Sequence, residues 1–305
     1  MKPTNYPVEK KGRLDATVKA CAELSNQRAR EVIRTGKIFV DKVRVLDPAK
    51  TVKPGQKIRL DWAAPNPKKN TPHGLQLVYR DADLLVVNKP AGLLSTPTSE
   101  EEPDTAAAGA RRFCRGGKPP LVVHRLDKET SGLLVFARGQ VAARALRNSI
   151  DSKEMKRMYR CVTRTAPRAA EGTICSFLVR DAGRKRRGSF KGSLRVLGPE
   201  TKPIPPKGEG KWSVTRYRTV KATQRGAALE VWLETGRTHQ IRIHLAEIGC
   251  AIVGERVYAK RVEACRQVLH AAHLVVPHPR TGELMEFTCD WPEDLGKVTP
   301  RGKDW

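Results

Sequence analysis

Residues 121–138 read LVVHRLDKETSGLLVFAR, and two apolar runs, Leu121 to Val123 and Leu133 to Phe136, bracket a segment that is almost wholly polar or charged. Both runs are short and rich in β-branched or aromatic side chains, the pattern of buried strands. Between them stand His124, Arg125, Asp127, Lys128 and Glu129, five ionisable groups within six residues, followed by the turn chemistry of Thr130-Ser131-Gly132. So many charges beside a core are costly unless they pair, face water or act on something. The segment is therefore either a charged hairpin connection with local ion pairs or a functional loop.

The rest of the chain narrows that choice. Its 305 residues suffice for about two domains, and 39% hydrophobic residues for a true core. A net charge of +26 makes polyanions the natural partners, since basic side chains neutralise phosphates and release counterions. RNA, DNA and an anionic membrane surface all fit that charge. No apolar run is long enough to span a bilayer, and MKPTNYPVEKKGRLD lacks the apolar core of a signal peptide, so a cytoplasmic, soluble monomer is expected. Seven cysteines without a C-x-x-C pair read as free thiols. His239 and His244 are five apart, and His270 and His273 three apart, so neither pair has the spacing that puts two imidazoles on one helical face, and no metal site is expected.

In chain order, residues 1–11 read as a flexible arm, 12–62 as a small basic α/β module, 63–74 as a proline-rich linker and 75–305 as the main domain. In the module, Leu14, Val18, Ala22 and Leu24 keep helical spacing, and Ser25 is positioned to cap a second helix, NQRAREVIRT, that ends at Gly36. Lys10 to Leu60 holds 14 Lys or Arg against 5 Asp or Glu, a balance of +9. In the main domain, DADLLVVNKPAGLLSTPT gives a strand and a turn, and residues 140–153 a helix. MKRMYRCVTR is strand-like and carries Tyr159. The segment DAGRKRRGSFKGSLR clusters Arg184, Lys185, Arg186 and Arg187, charges suited to a phosphate backbone.

Several of these segments together resemble one family. HRLDKETSGLLVFAR is very similar to the catalytic motif of the RluA-type RNA pseudouridine synthases, and LETGRTHQIRIHL followed by GERVY resembles a later motif of the same family. The resemblance implies an α+β fold, in which a mixed, largely antiparallel sheet with flanking helices forms the catalytic domain. It implies Asp127 as the essential residue and Tyr159, in an R-M-Y that stands for the usual K-x-Y, as the ring against the target base. Arg242 is implied as the basic partner of the aspartate, with Arg237 the alternative. His124, Arg125, Arg237, His239 and Gln240 are implied as substrate-binding. Glu255 stands where the family usually has aspartate. The R-L-D, SNQRAREVIRTGKIFVD and KPGQKI segments of residues 12–62 are similar to the RNA-binding domain first known from a small-subunit ribosomal protein, which implies an RNA grip through Arg28, Arg30, Arg34 and Lys37.

The implied reaction breaks the uridine glycosidic bond, turns the base and rejoins it through carbon, with no cofactor. Asp127 would attack the sugar or the uracil ring, or take a proton from the sugar. Ribosomal RNA is the expected substrate and transfer RNA the other option. A non-catalytic RNA-binding or assembly factor would explain the charge equally well, but it has no need of a carboxylate facing phosphates. A metal-dependent nuclease would want clustered carboxylates, which the sequence does not supply.

Overall fold

The computed structural model describes residues 3–41, 43–45, 48–64, 74–97, 104–114, 119–182, 186–199, 201–205, 208–224, 226–259, 264 and 266–296. The chain divides into two compact units, Met1–Thr71 and Pro72–Trp305. Most of the linker expected at 63–74 lies outside the described residues, as do Arg184 and Lys185.

The first unit is built on β1 (Thr4–Pro7), β2 (Gly12–Arg13), α1 (Leu14–Cys21), α2 (Asn26–Arg34), β3 (Ile38–Val40), β4 (Val43–Arg44), β5 (Thr51–Val52) and β6 (Lys57–Leu60). The flexible arm expected over residues 1–11 is corrected here: β1 pairs antiparallel with β6 along its whole length, and Val8 behind it is buried. Pro7 is tolerated because it ends an edge strand, where a missing N–H costs little. Ser25 caps α2 as its position implies, accepting from the Arg28 N–H at 3.2 Å. Leu14 and Val18 from α1 and Ala29, Val32 and Ile33 from α2 close a core against Ile38, Val40 and Ile58.

The second unit contains β7 (Gln76–Arg80), β8 (Leu84–Lys89), α3 (Ala106–Ala110), β9 (Leu121–Val122), β10 (Ser131–Ala137), α4 (Gln140–Asp151), β11 (Lys156–Thr163), β12 (Glu171–Val179), β13 (Gly188–Ser189), β14 (Arg195–Leu197), β15 (Lys211–Thr223), β16 (Gly226–Leu233), α5 (Gln240–Glu247), β17 (Leu269–Pro277) and β18 (Leu284–Thr288). One large sheet runs β13-β12-β15-β16-β11-β17-β10-β8-β7, with β14, β18 and β9 paired beside β12, β17 and β10. This is the mixed, largely antiparallel sheet expected. Only β10 and β17 are parallel among the pairs of the described strands.

Both faces of the central strands are covered, which explains runs that are apolar without alternation. Leu85, Val87, Leu134 and Phe136 face a core shared with α3 and α5, whereas Leu84, Val86, Leu133 and Val135 pack against Ala142, Ala143 and Leu146 of α4. Of the two buried strands expected around the charged loop, only β10 is buried throughout; β9 is a half-buried pair of residues. Ser131 and Gly132, expected in the turn, already belong to β10, and the turn is closed earlier by the Thr130 N–H donating to the Asp127 carbonyl at 3.2 Å. Gly132 has φ +110°, and a Cβ there would stand 2.2 Å from the Ala271 carbonyl oxygen, so the crossing of β10 with β17 admits only glycine. Among the described residues, no helix is long and apolar enough to cross a membrane.

Candidate active site

The loop from β9 to β10 is fixed by its neighbours before any charge is considered. Ser95 Oγ accepts from the Leu126 N–H at 2.9 Å and donates to the Leu126 carbonyl at 2.7 Å. Lys89, at the end of β8, is fully buried and its Nζ donates to the carbonyls of Leu93, Pro90 and Lys128 at 2.7, 2.9 and 3.1 Å. Burial pulls the Lys89 pKa down to about 7, against the opposing pull of Asp127 and Glu129. The backbone on both sides of Asp127 is thus pinned by two side chains, one at the end of β8 and one just after it.

Asp127 meets α5 at its other side. Arg242 Nη1 donates to Asp127 Oδ2 at 3.2 Å, while Nε and Nη2 of the same guanidinium grip Glu255 at 2.8 and 2.9 Å. Arg242 is therefore the partner of Asp127, and Arg237 is not: its exposed side chain stands at the rim, and its N–H donates to Gln240. Glu255 also accepts the N–H groups of Val257 and Tyr258 at 2.8 and 3.2 Å. Burial works against its charge, yet the hydrogen bonds and charge of Arg242 outweigh it and hold the carboxyl below its usual range. The same balance raises Arg242: burial opposes its charge, and Glu255 and Asp127 overcome that.

Gln240, expected to bind substrate, is among the residues lining the cavity over Asp127, and its side-chain amide is held by the protein itself. Its Oε1 accepts from Thr235 Oγ1 at 2.8 Å and from the Arg237 N–H at 3.0 Å, and its Nε2 donates to the Val214 carbonyl and Thr215 Oγ1. Every donor and acceptor of that amide is used in holding the 235–238 turn against β15, which leaves none for a ligand.

A cavity of about 620 Å³ opens over this arrangement and is lined by Asp127, Arg242, Tyr159, His124, Arg125, Arg157, Arg237 and His239. That volume suits a nucleotide-sized ligand. Tyr159 follows a β-bulge between Met158 and Tyr159 in the pairing of β11 with β17, a local irregularity of the kind that re-aims side chains. Burial raises its phenol pKa. His124 Nε2 accepts the Val135 N–H at 3.2 Å, and burial, with the Arg157 charge behind it, drops the ring to about 3, so it is a neutral acceptor in this fold. Arg157 is buried beside Gly236, where a Cβ would stand 2.8 Å from its Nη1. His239 has φ 59° at the start of α5 and brings its Nε2 to 4.0 Å from Asp127 Oδ2.

The expected RNA-gripping residues are partly engaged within the protein. Arg28 pairs with Glu31 at 2.7 Å and lies 5.5 Å from the Trp62 ring centre; Arg30 pairs with Asp15 at 3.1 Å; Lys37 donates to the Ala64 carbonyl. Hydrogen bonding from Arg13 holds the Asp15 pKa at about 2 despite burial, with Arg30 adding to it. Arg34 belongs to α2, and its side chain lies outside the described atoms. Arg186 donates to the Val257 carbonyl at 2.9 Å. Arg187 is half-buried.

Residues 83–247, which carry Lys89, Asp127, Tyr159 and Arg242, match the family model described as RNA pseudouridylate synthase. The chain belongs to that family. Among its relatives, it is 32% identical to the ribosomal large subunit pseudouridine synthase D of Zymomonas mobilis, over 93% of this chain and 91% of the relative. It is also 32% identical to an uncharacterized RNA pseudouridine synthase of Bacillus subtilis, over 90% of this chain and 88% of that one. The solved structure of human RNA pseudouridylate synthase domain containing 4 shares the fold with a TM-score of 0.55 at 20% identity, covering 73% of this chain and 92% of the human one. The protein is accordingly an RNA pseudouridine synthase, an isomerase whose substrate is RNA. Ser95, which lines the cavity, carries no spacing signal in the sequence, and Tyr258 stands there only as the last residue of GERVY. Lys89 reads there only as part of a turn.

Proposed function

We propose that this pseudouridine synthase modifies uridines of ribosomal RNA in the cytoplasm, with Asp127 as its catalytic residue. The observation that carries the catalytic assignment is the Arg242 bridge: one guanidinium spends two nitrogens on a buried glutamate and offers the third to a carboxylate in an open cavity. That arrangement directs the Asp127 carboxylate into the cavity, where it can attack carbon or take a proton. The reaction breaks N1–C1′ and forms C5–C1′; the proton leaves C5 and N1 gains one, so the product is an isomer of the substrate. Tyr159, re-aimed by the bulge, supplies a flat face for the turned base, and the basic rim of Arg125 and Arg237 suits the phosphates on either side of a nucleotide flipped out of its stack. His124 fits an organising part, since its Nε2 takes the strand N–H.

The ribosomal assignment draws on the name of the Zymomonas relative. Residues 12–62 are read as an RNA-binding domain of the small-subunit ribosomal protein type, joined by the 63–74 linker to a catalytic domain at 75–305. Its Arg28, Arg30, Arg34 and Lys37, with the 184–187 cluster of the second unit, supply the charge for that grip. The test is carbodiimide-based primer extension on total RNA from cells with and without the protein. New reverse-transcription stops at uridines of ribosomal RNA are the expected result; stops confined to transfer RNA would contradict the ribosomal reading.

A further inference from the structure

His239 stands at the cavity in a backbone conformation that side chains other than glycine rarely adopt. Its φ of 59° falls in the left-handed region, and it begins α5, where its carbonyl accepts the Ile243 N–H at 2.9 Å. The ring is hydrogen-bonded at one end and faces a carboxylate at the other. Nδ1 is 2.8 Å from the Tyr258 hydroxyl, and Nε2 is 4.0 Å from Asp127 Oδ2. The two rings meet edge to face with centroids 5.7 Å apart, and the Tyr258 ring in turn lies 5.4 Å from the Arg242 guanidinium.

We propose that Tyr258 is a positioning residue that holds His239 as the Nε2–H tautomer, making it a neutral donor aimed at the nucleotide oxygen that comes to rest against Asp127. An imidazole that accepts at one nitrogen must carry its proton on the other. Burial raises the Tyr258 pKa to about 12, so the phenol keeps its proton and has one to donate to Nδ1. The Asp127 carboxylate on the far side favours a proton on Nε2, which agrees in direction. The groups facing the ring are Asp127, Glu255, Arg242 and Arg187; burial lowers the His239 pKa, Asp127 and Glu255 oppose that, and the two arginines reinforce it. A neutral ring is the result. The 4.0 Å gap to Oδ2 exceeds a hydrogen bond, so Nε2–H is not consumed by Asp127 and remains open to an oxygen of ribose or uracil.

This inference rests on the assignment of Asp127, and its main readout does not depend on turnover. The full chain is labelled with 15N-histidine, and long-range 1H–15N correlations are recorded at neutral pH, with His239→Gln identifying the His239 signals among the seven histidines. The wild-type protein should show Nε2 protonated and Nδ1 as acceptor, and Tyr258→Phe should give a mixture of the two neutral forms. In turnover at saturating RNA, Tyr258→Phe should lose about tenfold in kcat, the worth of one neutral hydrogen bond, with KM little changed. His239→Gln, whose amide nitrogen can approach the Nε2 position, should retain more activity than His239→Asn, which tolerates the left-handed backbone but cannot reach. A wild-type spectrum with Nδ1 protonated would overturn the proposal, as would a Tyr258→Phe spectrum identical to wild type. If Asp127→Asn stays active, it is the catalytic assignment that fails, whereas the tautomer spectrum still decides the part played by Tyr258.

Discussion

Arg242 donates to Glu255 through both Nε and Nη2, at 2.8 and 2.9 Å, and only its remaining Nη1 reaches Asp127. Glu255 is thus the anchor of the arginine, and Asp127 its exposed client, with 22% of its side chain still open to solvent against none for Glu255. Removing the anchor leaves a buried guanidinium with half its compensation. Glu255→Ala should lower stability by about 3 to 5 kcal/mol, read as a lower urea midpoint, and should reduce turnover in the fraction that remains folded. Glu255→Asp should recover most of the stability if its shorter arm still reaches Arg242. An unchanged midpoint for the alanine variant would mean that the pair does not support the fold.

Lys89 gives the unfolding equilibrium a pH dependence of definite sign. The unfolded chain holds that proton up to the ordinary lysine value of 10.5, the folded chain only to about 7. Between those values the unfolded state binds more protons, so stability should rise with pH across the window, by up to a few kcal/mol. The cost of burying the charge is fully present below pH 7 and is relieved above it. Lys89→Met removes both the slope and the three hydrogen bonds to carbonyls, so the wild-type minus variant difference in unfolding free energy should climb from pH 7 to pH 10. A flat difference would show that Lys89 keeps an ordinary pKa in the fold.

Gly132 tests the crossing beneath the loop. Gly132→Ala places a methyl 2.2 Å from the Ala271 carbonyl oxygen and forces alanine to φ +110°. The backbone strain alone costs roughly 1 to 3 kcal/mol, and the clash adds to it. Urea unfolding should show a lower midpoint with an unchanged slope; an unchanged midpoint would mean that β10 and β17 part more easily than their register implies.

On the proposed function, the arginines of the first unit bear on RNA affinity, not on chemistry. Arg28→Ala with Arg30→Ala should flatten the dependence of log affinity on log salt by about 0.7 to 0.9 for each phosphate that is no longer neutralised. At saturating RNA the turnover should change little. Because both side chains already pair with Glu31 and Asp15, the effect should be smaller than for two unpaired arginines, and no change in slope would show that these ion pairs persist in the complex.

Much of this architecture is legible in the sequence because the relevant signals are local. The apolar runs at 84–87 and 133–136 are strands since both faces of the sheet are covered there, and Ser25 caps α2 because a hydroxyl at that position finds an N–H wherever the helix starts. The meetings of distant residues are not legible. Ser95 and Lys89 reach Leu126 and Lys128 across more than thirty residues, distances in sequence that no periodicity reports. Tyr258 meets His239 only because α5 and the chain after Glu255 return to the same edge of the cavity. The partners of Gln240 are hidden for a related reason: the sequence shows an amide beside a charged turn, and only the fold brings Val214 and Thr215 of β15 to its nitrogen. The arm at 1–11 misleads because a polar, proline-bearing segment pairs as an edge strand only when a partner such as β6 stands beside it.

On this account the Asp127 carboxylate performs the isomerisation, while the fold and the RNA grip are built elsewhere in the chain. The most direct measurement is pseudouridine formation by purified Asp127→Asn on ribosomal RNA, scored by carbodiimide primer extension, alongside equilibrium binding of the same RNA. The substitution keeps the size of the side chain and removes its charge. The expected result is no detectable pseudouridine with binding within a few-fold of wild type; pseudouridine formed at a rate near wild type would contradict the account.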